Sequence, residues 1–155
     1  MVKLEISPSE WKNYLGKDLG TSDWYEVTQD EINEYGKVVG DLQWIHVDPE
    51  RAAKESPYGT TVAHGNWVLS IAFSKLFSQL FKSVKTKMAV NYGWNKIRFP
   101  APTPVGKRIR LTCKVVNVKE IGNDAYDVEF DFKIYVEGEI KPCFVASKLS
   151  RFYSL

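Results

Sequence analysis

The sequence holds two histidines, His46 and His64, the side chains whose unperturbed pKa places a charge change near neutral pH. Asp41 stands five positions before His46, in the run Gly40-Asp41-Leu42-Gln43-Trp44-Ile45-His46-Val47-Asp48-Pro49. A carboxylate and an imidazole at that spacing in a non-helical stretch can share one water molecule, taking a proton from it and returning one elsewhere. His64 and Gly65 come next, just before a long apolar stripe. A glycine at a helix start offers an unobstructed backbone N–H at the positive end of the helix dipole. Such a donor suits a carbonyl oxygen that gains charge during reaction. Each residue also has a structural reading: Asp41 as a turn residue, His46 as a half-buried polar side chain, His64 as a brace on nearby backbone, Asp48 as a helix cap.

The elements that must position these groups follow from pattern. Trp11, Tyr14 and Leu15 suggest one helical turn in a polar lead-in over 1–27, and Trp24 to Val27 a short strand. Thr28 and Glu31 form a capping box, and Ile32, Tyr35, Val38 and Val39 recur at helical spacing, so a helix is expected over 29–39, closed at Gly40. Residues 41–48 carry no periodic signal and read as a loop. Asp48 and Pro49 open a short helix to about Glu55, and Ser56 to Gly59 is a turn. After Gly65, the residues Val68, Leu69, Ala72, Phe73, Leu76, Phe77, Leu80 and Phe81 draw an apolar stripe for nearly four turns. Alternation then takes over: Asn91 to Phe99, Ile109 to Val115, Tyr126 to Val136 and Phe144 to Tyr153 read as strands. Gly122-Asn123-Asp124 and Glu137-Gly138-Glu139 read as hairpin turns. The expected class is α+β in one domain over 1–155, a long helix wrapped by an antiparallel sheet.

Composition narrows the function. Lys and Arg total 21 against 19 Asp and Glu, a net charge of +2, so no strong basic excess points to nucleic acid. No stretch nears the roughly 18 apolar residues of a membrane span, and the N-terminal residues lack the apolar run of a signal peptide. Cys113 and Cys143 stand alone, with neither zinc-site spacing nor the density of a disulfide scaffold. A soluble, cytoplasmic protein is expected. Lys85, Lys87, Lys96, Arg98, Lys107, Arg108 and Arg110 read as solvated strand and loop residues.

The run Val39 to Ala52 together with Tyr58-Gly-Thr-Thr-Val-Ala-His-Gly65 resembles the signature of MaoC-like dehydratases, the (R)-specific enoyl-CoA hydratases. The wording Gln43-Trp-Ile-His-Val-Asp-Pro-Glu-Arg51 is similar to the nodulation protein N branch of that family. Tyr92 to Pro102 and Lys141 to Ala146 resemble later segments of the same branch. The resemblance implies a hot-dog fold, homodimers or larger homo-oligomers, and an acyl-CoA thioester as substrate. No cofactor is implied, since coenzyme A belongs to the substrate, and no metal. It places Asp41 and His46 at the family's catalytic positions and Gly65 as the backbone donor to the thioester oxygen, with Gln43 and His64 in support. Gln43 and Trp44 stand where the family has Asn and Pro, Phe73 where some relatives have a serine, and Trp67 is expected to reshape an acyl channel. The reaction implied is addition of water to a trans-2-enoyl-CoA, with Asp41 as base and His46 orienting the water. Hydrolysis of the thioester, or acyl-CoA binding without catalysis, are the alternatives.

Overall fold

The computed structural model describes residues 3–155; the first two positions of the expected lead-in lie outside that range. A short strand, β1 (Leu4–Ile6), leads into a 3-10 turn, Pro8–Tyr14, at whose start the N–H and hydroxyl of Ser7 both donate to Glu10. Trp11 from this turn is fully buried, with its ring against Tyr14, Phe81, Phe130 and Phe152. Two short strands follow, β2 (Asp18–Thr21) and β3 (Tyr25–Glu26).

Helix α1 spans Gln29–Val39, as the spacing predicts. The Thr28 hydroxyl accepts from the Glu31 N–H, and Gly40 closes the helix in the left-handed region at φ 77°. Only half of the expected capping box forms, because the Glu31 carboxylate accepts instead from the Tyr25 hydroxyl at 2.6 Å. Residues 41–48 depart from the expected loop. Trp44–Val47 is a single helical turn, α2, running directly into α3 (Pro49–Glu55), which Asp48 caps through the Arg51 N–H. One turn is too short to leave a periodic trace in sequence.

The long helix begins at Gly65 as expected. It is α-helical over Gly65–Ile71 (α4), widens to a π-helical turn over Ala72–Leu76, and tightens to 3-10 geometry over Phe77–Gln79. It stops earlier than the apolar stripe suggests. Phe81 opens a strand, β4 (Phe81–Ser83), paired in parallel with β1. The stripe misleads because Leu76, Phe77, Leu80 and Phe81 all contact the core whichever way the backbone runs.

Strands β5 (Thr86–Arg98), β6 (Arg108–Gly122), β7 (Ala125–Val136) and β8 (Phe144–Ser154) form the antiparallel sheet, in the order β2-β6-β7-β8-β5 with β3 also on β6. At the β6–β7 hairpin Asn123 and Asp124 both have positive φ, 53° and 54°, the backbone of a two-residue turn that matches strand twist. The inward rows of β6, β7 and β8 are buried: Ile109 to Val115, Val128 to Val136, and Phe144 to Phe152. Phe77 of the long helix packs on Phe130 and Phe132 of β7, so the helix lies on one face of the sheet. This is the α+β hot-dog arrangement. Both cysteines are buried and free. No helix among the described residues is long and apolar enough to cross a membrane.

Candidate active site

The site is assembled from three chain segments that meet where α1 ends. Gly40 turns the chain out of α1, and the N–H of Asp41 returns to the Gly36 carbonyl at 3.0 Å. The Asp41 carboxylate is left exposed. Helix α2 then carries His46, 8% exposed, back against the strap 61–64. That strap is pinned on both sides, by Val62 N–H to the Ile45 carbonyl at 3.0 Å and Ala63 N–H to the Thr103 carbonyl at 2.8 Å.

Both imidazoles are held by backbone carbonyls, which fixes their tautomers. His46 Nδ1–H donates to the Val62 carbonyl at 2.6 Å, so in the neutral ring Nε2 is an acceptor. His64 Nε2–H donates to the Asp41 carbonyl at 2.9 Å, leaving Nδ1 a buried acceptor without a partner among the described residues. The two rings stack, with centroids 3.9 Å apart and planes 26° from parallel. One donor atom each of Asp41, His46 and His64 lies within 4.8 Å of the others. The expected pair is therefore brought together, and His64 proves to touch both members. Two imidazoles and a carboxylate are also a metal-type donor set.

Burial is the largest influence on His46 and lowers its pKa below the ordinary 6.5. The neighbouring His64 lowers it further, while the Val62 hydrogen bond and the Asp41 carboxylate oppose the shift. His46 is thus neutral at physiological pH. On acidification the unfolded chain takes up this proton before the folded one does. The associated stability is complete above pH 6.5 and is lost as pH falls through the folded-state value. Thermal melts between about pH 7 and about pH 5 should fall more steeply for wild type than for His46→Gln, and equal slopes would contradict this account.

Gly65 is the first residue of α4, so its N–H has no partner within the helix. It lines a cavity of about 270 Å³ together with Ile45, Tyr58, Val62, Phe99 and Cys143. A Cβ at Gly65 would lie 3.0 Å from the Phe99 ring, which would have to shift by a few tenths of an ångström to admit it. Gln43 makes a weak contact, its N–H 3.4 Å from the Asp41 carboxylate. Trp67 is 3% exposed, its ring against Tyr25, and it is not among the residues lining this cavity.

Two further groups were not found from sequence. Gln29 donates to the His46 carbonyl at 2.7 Å and accepts from the Thr61 hydroxyl at 2.6 Å, tying α1, α2 and the strap together. Gly36, in the middle of α1, leaves room for the Asp41 carbonyl: a Cβ there would stand 2.8 Å from that oxygen. A glycine inside a helix costs about 1 kcal/mol relative to alanine, and that cost was the available signal.

Residues 10–134 match the family model described as MaoC like domain. The chain is 45% identical over 137 residues to 3-hydroxyacyl-thioester dehydratase Z of Mycobacterium tuberculosis (strain CDC 1551 / Oshkosh), covering 88% of this chain and 89% of that protein. It is 34% identical over 143 residues to nodulation protein N of Rhizobium leguminosarum bv. viciae, covering 92% and 89%. In fold it is similar to the monoamine oxidase regulatory protein of Archaeoglobus fulgius, with a TM-score of 0.80 at 20% identity over 98% of this chain and 99% of that one. The chain belongs to the MaoC-like domain family, on the branch that includes nodulation protein N, and is a hydro-lyase of the dehydratase type.

Proposed function

We propose that the protein is an (R)-specific enoyl-CoA hydratase, adding water reversibly to a trans-2-enoyl-CoA to give an (R)-3-hydroxyacyl-CoA. The observation that carries this reading is the convergence of Asp41, His46 and His64 within 4.8 Å, beside the helix start at Gly65. Asp41 and neutral His46 each present an acceptor, so a water donating one O–H to each has its oxygen lone pair free to attack. The Gly65 N–H receives the thioester oxygen, draws electron density from the conjugated double bond and makes C3 electrophilic. The hydroxyl goes to C3, the proton left on the pair goes to C2, and the pair returns to its starting state. Asp41 takes the proton in the addition direction. His46 orients the water and shares in the proton transfer. The reaction changes no oxidation level and calls for no redox cofactor.

The name of the mycobacterial relative, a 3-hydroxyacyl-thioester dehydratase, supports the substrate class. Strand β5, 13 residues long, ends the sheet with its outer edge unpaired among the described residues. That edge supports a homo-oligomer in which a second copy pairs with it. Crotonyl-CoA tests the activity: loss of absorbance from the conjugated double bond is expected, without release of free thiol. Thiol release would instead make it a thioesterase. Binding of saturated acyl-CoA with no turnover of crotonyl-CoA would make it a binding module.

A further inference from the structure

His46 sits on a helix of a single turn. Such a turn is not stable by itself, because fixing its backbone costs more than its hydrogen bonds return, so α2 must be held by its surroundings. Its carbonyls also lack the partners that a longer helix would supply. For the His46 carbonyl, Pro49 three residues on has no N–H to give. Gln29 supplies one from α1, its Nε2 donating at 2.7 Å. The same Nε2 donates to Asn33 Oδ1 at 2.9 Å, and Gln29 Oε1 accepts from the Thr61 hydroxyl at 2.6 Å. Both polar atoms of the Gln29 amide are engaged, and a carbonyl on His46 allows only this orientation of it.

These bonds close a circuit. Gln29 joins the His46 carbonyl to the Thr61 side chain, Val62 follows Thr61 in the chain, and the Val62 carbonyl receives the His46 Nδ1–H at 2.6 Å. The peptide and the ring of His46 are tied to adjacent residues of one strap, the first through Gln29 and the second directly. Thr61 is 1% exposed and its carbonyl accepts the Val105 N–H at 3.0 Å, so the far side of the circuit is anchored in buried structure. Gln29, Asn33 and Gly36 stand at i, i+4 and i+7, on one face of α1. The face that leaves room for the Asp41 carbonyl at Gly36 therefore holds His46 two turns away. Gln29 is not among the residues lining the cavity at Gly65.

We propose that Gln29 is a positioning residue for the hydration, acting through His46: it keeps the Val62 carbonyl on Nδ1–H and so keeps Nε2 as the acceptor offered to the water. This rests on the hydratase reading above. With the circuit broken, the ring can turn or exchange tautomers, and an Nε2 that carries the proton cannot accept one from the water.

Gln29→Met and Thr61→Val break the circuit at different joints. Thr61→Val keeps the shape of the side chain and leaves unpaired only an amide oxygen on half-buried Gln29, so it decides the matter if Gln29→Met does not fold. The chain has two histidines, so heavy-nitrogen labelling of their rings gives two sets of signals. Above the His46 pKa, wild type should show one Nδ1–H ring, His46, and one Nε2–H ring, His64. In either variant His46 should become a mixture of tautomers while His64 stays Nε2–H. The kcat for crotonyl-CoA should fall about tenfold to a hundredfold, the cost of a misplaced catalytic group, with KM within about twofold. The double variant should lose no more than the worse single one. A merely structural role would lower the melting temperature and leave the His46 tautomer and kcat at their wild-type values, which would overturn the proposal. An unchanged tautomer with a reduced rate would also overturn it, as would mixed tautomers with wild-type kcat. If wild type does not turn over crotonyl-CoA, the hydratase reading fails, and the ring signals alone decide whether Gln29 fixes His46.

Discussion

Asp41→Asn should lower turnover of crotonyl-CoA by about 10²–10⁴-fold, the usual worth of one general acid–base group, and His46→Gln should do the same. Both variants should stay folded. The Asp41 side chain is exposed and accepts only a weak hydrogen bond from the Gln43 N–H, so the isosteric amide removes basicity without disturbing packing. Gln at 46 keeps an amide N–H able to reach the Val62 carbonyl that Nδ1–H occupies now. The informative measurement is the double variant. If the two groups hold one water, removing the second after the first adds little, and the double loss should match the worse single one. Losses that multiply would mean that the two act on separate steps, and a wild-type rate in either single variant removes that residue from the mechanism.

The pairing of Asp41 with His46 was legible because the two are close in sequence and the chain has only two histidines to choose from. The helices that frame them were legible for a related reason. Thr28, Gly40, Asp48 and Pro49 are local signals, and α1 and α3 begin and end where those residues place them. What sequence could not give depends on contacts between segments far apart in the chain. The stacking of His64 on His46 needs the strap 61–64 to cross α2, and the Gln29–Thr61 bond joins residues 32 positions apart. Neither leaves a periodic trace. Lys148 was passed over because Phe144 to Tyr153 alternates less cleanly than the other strands, so a charged residue on its inner face does not stand out. The end of the long helix was missed because apolar residues serve both the helix and the strand that follows it.

The same dependence on distant packing makes Gly36 the position where a single methyl group should be felt in catalysis. Alanine in mid-helix is worth up to about 1 kcal/mol over glycine, so propensity alone predicts that Gly36→Ala stabilises the protein. Against this, the added Cβ would sit 2.8 Å from the Asp41 carbonyl oxygen, a backbone atom that a side-chain rotation cannot move aside. That oxygen accepts the His64 Nε2–H at 2.9 Å, and His64 stacks on His46. To make room the Asp41 peptide must shift and the His64 bond must stretch, which displaces both members of the pair relative to each other. Overpacking of this kind costs about 1–3 kcal/mol, enough to cancel the propensity gain and leave the melting temperature lower or little changed. The rate should suffer far more, since a misplacement of about 1 Å in a catalytic group costs on the order of 10²-fold. The expected result is a kcat about a hundredfold below wild type in a protein that still melts cooperatively. Gly36→Ser should be at least as damaging, because it adds the same Cβ and a polar atom to satisfy. A Gly36→Ala enzyme with wild-type kcat would show that the Asp41 carbonyl and the His64 ring can move without carrying the carboxylate and imidazole with them. The site would then be held chiefly by the Val62 and Gln29 bonds to His46.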